Sequence, residues 1–147
     1  MIRLAVFLLL LSCTQALSAP LVVTNDIGGR VDKRNAQIHK LYEQGRSVII
    51  DGHCASSCTM YLAIGCVTER ASLTFHGPSF YGLPLSPHDF EVWSQHIAAH
   101  YPPALRDWYL TTGRYLTQFS VPLGYQELVQ MGAKACPAGS FRDTHKG

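Results

Sequence analysis

The sequence predicts an α/β fold built on a parallel sheet, and three observations carry that expectation. Apolar, β-branched runs recur at residues 21–24, 47–50 and 73–75, helix-patterned segments separate them, and turn residues punctuate each change. Strand, helix, strand, helix, strand in that order closes by right-handed crossovers. In sheets of this kind ligands sit beyond the carboxyl ends of the strands.

Leu21-Val22-Val23-Thr24 reads as the first strand, and Asn25, Asp26 and the pair Gly28-Gly29 as the tight turn that ends it. Val31, Ile38, Leu41 and Tyr42 then fall at helical spacing through a polar stretch that Gly45 closes. Ser47-Val48-Ile49-Ile50 is a second buried strand. Gly52 to Cys58 reads as a turn into the apolar segment Thr59 to Ile64, a short buried helix stopped by Gly65. Leu73-Thr74-Phe75 makes the third strand and ends at His76.

The second half is helical. Ser86-Pro87-His88-Asp89 offers an N-cap, a proline at the first helical position and an acid at the third, and Phe90, Trp93, Ile97 and Tyr101 line one face until Pro102-Pro103. A second helix carries Leu105, Trp108 and Tyr109 up to Gly113, and a third spans about Pro122 to Met131, before Gly132. Gly77 to Pro84, with the Phe80-Tyr81 pair, reads as a flap. The aromatic stripe from Phe90 to Tyr109 reads as core or as an oligomer contact.

Ahead of the first strand, Met1-Ile2-Arg3 leads into an apolar run, Leu4 to Leu11, and then into small and polar residues up to Ala19. That is the make-up of a signal peptide, and the run falls short of the roughly 20 apolar residues that cross a bilayer. Cleavage is expected after Ser18 or Ala19. Removing 19 of 147 residues leaves 128, one domain over residues 20–147. Leu10-Leu11-Ser12-Cys13 is similar to the lipid-attachment box of bacterial lipoproteins, a competing reading in which Leu11 fits poorly. The expected location is the periplasm or the outside of the cell, with membrane contact only through an uncleaved signal or a lipidated Cys13. A formal charge of +2 and the absence of any Lys or Arg run exclude nucleic acid as an implied partner.

The remaining cysteines are Cys54, Cys58, Cys66 and Cys136, an even number that favours disulfides in an exported chain and allows three pairings. The preferred one joins Cys54 to Cys58 and Cys66 to Cys136. A metal or redox site at Cys54-Ala55-Ser56-Ser57-Cys58 is the alternative, and zinc would need all four sulfurs to converge. His96 and His100 stand four apart with no third ligand at a matching offset, so no metal is expected, and no motif calls for an organic cofactor.

One set of residues has the make-up of an acyl-transfer site. Such chemistry needs a nucleophile beside a base, and backbone N–H groups aimed at the oxygen that becomes negative. Ser56 or Ser57 at a helix mouth supplies the nucleophile, His76 at the end of the next strand the base, and Gly28-Gly29 a turn where a carbonyl oxygen can reach a bare amide.

Asp26-Ile27-Gly28-Gly29-Arg30-Val31, then Gly52-His53-Cys54-Ala55-Ser56-Ser57-Cys58 leading to Gly65, then Phe75-His76-Gly77-Pro78, resembles the proteolytic subunit of Clp protease and the wider ClpP/crotonase fold. Exported relatives with a Cys-x-Ser-x-Cys serine turn match best, over about residues 20 to 80. The resemblance implies Ser56 as nucleophile, His76 as general base, and an oxyanion hole from Gly28, Gly29 and the Ser57 N–H. It implies a peptide or small acyl substrate and a homo-oligomer. Two departures accompany it. The family's late acid has no counterpart near Ser120, where Gln118 and Thr117 stand instead, and Asp89 and Asp107 lie off its position. The family's opening strand and helix are replaced by the signal segment, so a version of the fold truncated at its N-terminal end is expected.

The expectation for function is therefore an exported serine hydrolase, peptidase-like, with a catalytically inactive binding or assembly module on the same fold as the alternative. The plainer roles are also defined: Ser56 and Ser57 as helix caps, His76 as a strand-end residue bonded to a carbonyl, and Gly28-Gly29 as an ordinary turn.

Overall fold

The computed structural model describes residues 18–139. The expected signal segment as far as residue 17, with Cys13, lies outside the described residues. The chain forms a mixed α/β structure whose five-stranded sheet has the order β1-β2-β4-β5, with β3 also paired to β2.

Strand β1 (Leu21–Asp26) runs parallel to β2 (Val48–Ala55), with Val23 opposite Ile50 and Asp26 opposite Cys54. Helix α1 (Val31–Glu43) connects them. It buries Ile38, Leu41 and Arg34, and its dipole is matched by Asp32 in the first turn and Lys40 in the last. Gly45, at φ +63, closes it: its N–H bonds the Tyr42 carbonyl and that of Arg46 bonds Leu41, the paired contacts of a Schellman cap.

β2 is the central strand and outruns the sequence expectation, which ended it at Ile50 and made Gly52 to Cys58 a turn. The chain stays extended to Ala55 and then enters a 3-10 helix over Ser56–Ala63. Asp51, next after the apolar run, is buried with its charge matched by Arg70 at 2.5 Å and its Oδ1 taking the Thr68 hydroxyl at 2.6 Å. A carboxylate inside a strand is tolerated when it is paired and hydrogen-bonded.

Two short strands share the other edge of β2 in succession. β3 (Gly65–Val67) pairs with its first half and β4 (Ser72–Thr74) with its second, both parallel, with Ala55 opposite Thr74. The wholly parallel sheet of the expectation is corrected at the far edge. β5 (Leu123–Gly124) lies antiparallel to β4, placing Leu123 against Leu73.

α2 (Pro87–Ala98) begins as the sequence indicates, with the Ser86 hydroxyl accepting the Asp89 N–H at 3.1 Å. α3 (Pro103–Thr111) follows, and a short 3-10 turn covers Gly113–Tyr115. α4 (Tyr125–Gln130) starts later than Pro122 because residues 123–124 are strand and Glu127 accepts the Gly124 N–H at 2.7 Å, fixing the helix start there. The core lies between the sheet and this helical layer. Within it the Phe75 ring meets Tyr101, Trp108 and Tyr109 at centroid distances of 5.5, 5.4 and 6.5 Å. Of the aromatic stripe, Tyr101 and Tyr109 are therefore core, whereas Trp93 stays exposed.

Candidate active site

The sheet's parallel register sets the ends of β1, β2 and β4 side by side, and the Gly28 turn, Ser56 and His76 leave those three ends in that order. At the first, Asp26 Oδ1 accepts the Gly28 N–H at 2.8 Å, an Asx turn two residues long. Its Oδ2 takes Arg34 Nη2 at 2.6 Å, and the Arg34 guanidinium lies 4.4 Å from the centroid of the Tyr61 ring. Gly28 has φ +91 and Gly29 φ +141, conformations open to glycine. The Gly28 amide is thus occupied by Asp26. Among the described residues the Gly29 N–H has no acceptor.

Ser56 stands at the strand-to-helix junction with φ +58, left-handed for a residue with a Cβ. Such a backbone costs on the order of 1–3 kcal/mol and persists only where its surroundings hold it. The disulfide between Cys54 and Cys58 brackets it, with Cα atoms 5.4 Å apart. Gly28 presses on it from β1, and its own carbonyl accepts the Thr59 hydroxyl at 2.7 Å. Its Oγ makes no hydrogen bond among the described residues. The capping roles open to both serines are not taken: the 3-10 helix has Ala55 at its N-cap and no side chain capping it. Ser57 is buried with its Oγ unpartnered, and as the second residue of the helix its N–H has no acceptor within it.

His76, two residues past β4, is half-buried. Its Nδ1 lies 2.7 Å from the Gly77 carbonyl oxygen, an acceptor, so Nδ1–H donates to it and the lone pair of the neutral tautomer falls on Nε2. The Tyr109 hydroxyl donates to the His76 carbonyl at 3.2 Å. No hydrogen bond joins the His76 ring to Ser56 Oγ.

Among the described residues no carboxylate is hydrogen-bonded to the His76 ring. β5 runs antiparallel to β4, so residues 117–121 head back toward the His76 end, but they bring Thr117, Gln118 and Ser120, with the Thr117 N–H donating to Ser120 Oγ at 3.0 Å. Asp89 is spent on Ser86, whose hydroxyl donates to it at 2.7 Å. Asp107 is exposed on α3.

The expected flap, residues 77–84, folds as a tight hairpin. Phe80 and Leu83 exchange backbone hydrogen bonds of 3.0 and 2.9 Å around Tyr81 at φ +49 and Gly82 at φ +81. The Phe80 and Tyr81 rings meet edge to face and both are exposed. Arg30, beside the glycine turn, donates Nε–H to Asp32 Oδ1 at 3.0 Å, and that carboxylate raises its pKa.

The second disulfide joins Cys66 to Cys136 and ties the C-terminal segment to β3, where Cys136 N–H also bonds the Val67 carbonyl at 3.0 Å. The preferred pairing is the one present. With all four sulfurs bridged they form no zinc site, and Cys54 and Cys58 are fully buried, which withholds them from thiol exchange. The His96 and His100 rings lie 5.6 Å apart, with His100 Nδ1 3.0 Å from the His96 carbonyl and Nε2 3.1 Å from Asn35 Oδ1. Among the described residues no group of three or more His, Cys, Asp or Glu is placed to hold a metal.

Three site features escaped the sequence reading: the Asp26–Arg34 pair behind the glycine turn, the Thr59 bond to the Ser56 carbonyl, and the Tyr109 bond to that of His76. Only the second is local, a threonine bonded three residues back; the others join residues 8 and 33 apart. The class defined so far is a mixed α/β protein with a serine and a histidine at adjoining strand ends. No model of a known protein family matches the chain, and no curated protein matches it.

Proposed function

We propose that this protein is an exported serine hydrolase of ClpP/crotonase-like fold, acting as a peptidase, with Ser56 as nucleophile and His76 as base. The observation that carries the reading is Ser56 itself: a left-handed serine with a free hydroxyl at the mouth of a helix, backed by a glycine turn and by no capping role. Strain of that kind gathers at functional positions.

In the proposed cycle His76 Nε2 takes the proton of Ser56 Oγ as the oxygen attacks the acyl carbon. The negative oxygen is received by the Gly29 and Ser57 N–H groups, and a Cβ at Gly29 would meet nothing within 4 Å, so that amide is open to approach. His76 then protonates the leaving amine, and water releases the acyl group by the reverse path. The Gly77 carbonyl takes the place an acid would have beside Nδ1, holding the imidazole in one tautomer. A neutral carbonyl stabilises the imidazolium less than a carboxylate does, so turnover is slow by the standard of full triads.

Labelling of the mature protein by a fluorophosphonate is the test. Modification is expected at Ser56 and is lost in Ser56→Ala and in His76→Asn; an unlabelled wild type rejects the enzyme.

The second reading is a catalytically silent binding or assembly module. It draws on two absences among the described residues, a carboxylate bonded to the His76 ring and a Ser56–His76 hydrogen bond. A ligand-bound structure in which the two groups remain apart would favour it.

Export is part of the proposal, and the two disulfides support it, because such bonds persist in oxidising compartments. Among the described residues no helix is long and apolar enough to cross a membrane. Mass spectrometry of the periplasmic or secreted protein should find an N-terminus at Ala19 or Pro20; retention of Met1 overturns this part.

A further inference from the structure

The Ser56 carbonyl oxygen accepts Thr59 Oγ1 at 2.7 Å, and Thr59 Oγ1 lies 2.6 Å from the Tyr101 hydroxyl. A hydroxyl carries one proton. Thr59 spends its proton on Ser56, so the second bond is donated by Tyr101. The direction is therefore fixed: Tyr101 O–H to Thr59 Oγ, Thr59 O–H to the carbonyl of Ser56.

Both residues are buried. Burial, and then the neighbouring Tyr109 phenol, push the Tyr101 hydroxyl well above its ordinary pKa, so the donor is never lost at working pH. A buried hydroxyl must find an acceptor or bear the cost of desolvation, and Tyr101 finds it only through Thr59. The Tyr101 ring is held in turn, edge to face, by Phe75 at 5.5 Å and Tyr109 at 5.2 Å. Ser56 occupies a backbone region that serine does not choose by itself. The relay reaches it from the helical layer through a Thr59–Tyr101 bond that spans 42 residues of sequence.

We propose that Thr59 and Tyr101 are positioning residues that hold Ser56 in its left-handed conformation, and so aim its hydroxyl out of the helix mouth. The inference rests on the hydrolase reading for its kinetic consequence, and on geometry alone for its structural one. Tyr101→Phe keeps the ring and removes the hydroxyl; Thr59→Val removes the relay in an isosteric side chain; Thr59→Ser restores it.

In the full mature chain, the second-order rate of Ser56 labelling by a fluorophosphonate should fall about tenfold in Tyr101→Phe and in Thr59→Val, because small misplacement of a reacting group is costly. Thr59→Ser should stay within about twofold of wild type, since the hydrogen bond is kept. The midpoint of the labelling pH profile should not move, since His76 is untouched. Amide hydrogen exchange should quicken in the Ser56–Ala63 helix and stay unchanged in α1. Wild-type labelling and wild-type exchange in Thr59→Val overturn the proposal, even if Tyr101→Phe fails to fold. An unlabelled wild type sinks the hydrolase reading instead, and the exchange measurement alone then decides the relay: faster exchange sustains it, unchanged exchange overturns it.

Discussion

Gly28 lies with its bare α-carbon against Ser56: a Cβ built on Gly28 would stand 2.6 Å from the Ser56 Cβ and 2.7 Å from the Ala55 carbonyl oxygen. The contact couples the end of β1 to the end of β2. It also separates the two glycines of the turn, because a Cβ on Gly29 meets nothing within 4 Å.

Gly28→Ala should accordingly destabilise the protein by about 3 kcal/mol, from overpacking and an unfavourable φ together. Gly29→Ala should lose only the backbone term, about 1–2 kcal/mol. Urea unfolding of the two variants measures the difference, and equal losses would refute the contact.

Asp26 serves two partners, the Gly28 N–H and Arg34. Asp26→Asn keeps an oxygen for the glycine but leaves the buried Arg34 without a counter-charge, for a loss of about 3 kcal/mol. A double-mutant cycle with Arg34→Met isolates the pair: coupling near zero would show that the loss comes from elsewhere.

The two disulfides should divide their work. Cys66–Cys136 closes a loop with a sequence separation of 70, and its removal should cost about 4 kcal/mol by loop-closure entropy. Cys54–Cys58 spans only 4 positions and should cost about 2 kcal/mol. Its loss should instead slow labelling of Ser56, which it brackets. Paired alanine variants compared by thermal unfolding and by labelling rate test the division; the reverse ranking in either measurement contradicts it.

Acidification should lower the stability of the protein in two pH windows. Burial pushes the His100 pKa below that of a free histidine, so the unfolded chain binds this proton more readily. The stability its neutral ring contributes is complete above the unfolded pKa, near 6.5, and drains away as the pH falls below it. At Asp51 burial alone would raise the pKa, but the Arg70 and Thr68 hydrogen bonds outweigh it and hold it below the usual carboxylate value. Its share of stability is present above the unfolded pKa, near 4, and is lost as the pH drops through the lower folded one. Tm measured from pH 7 to 3 should fall in both windows. His100→Asn should flatten the upper window alone, and a profile unchanged by that substitution would dismiss the assignment.

Much of the fold was legible where local pattern and tertiary structure agree. The Leu21–Thr24 run, the α1 periodicity stopped at Gly45 and the Ser86 cap each rest on neighbours in sequence, and each is present. β2 was read too short because Asp51 breaks an apolar run, and only Arg70 and Thr68, 19 and 17 residues away, explain a carboxylate there. β5 went unread because two residues carry no periodicity; its direction comes from pairing with β4.

Of the candidate site, the sequence by itself determined the cast: a serine between two cysteines, a glycine pair and a histidine, at the points where strands stop. Those are local properties, set by turn chemistry and by where apolar runs end. Tertiary structure decided what holds these groups in place. Arg34 pairs with Asp26 behind the glycine turn, Tyr109 bonds the His76 carbonyl, and Tyr101 reaches Ser56 through Thr59. Hydrogen-bond partners distant in sequence meet only once the sheet register and the helical layer bring them within 3 Å of each other, and no residue pattern read along the chain encodes that distance.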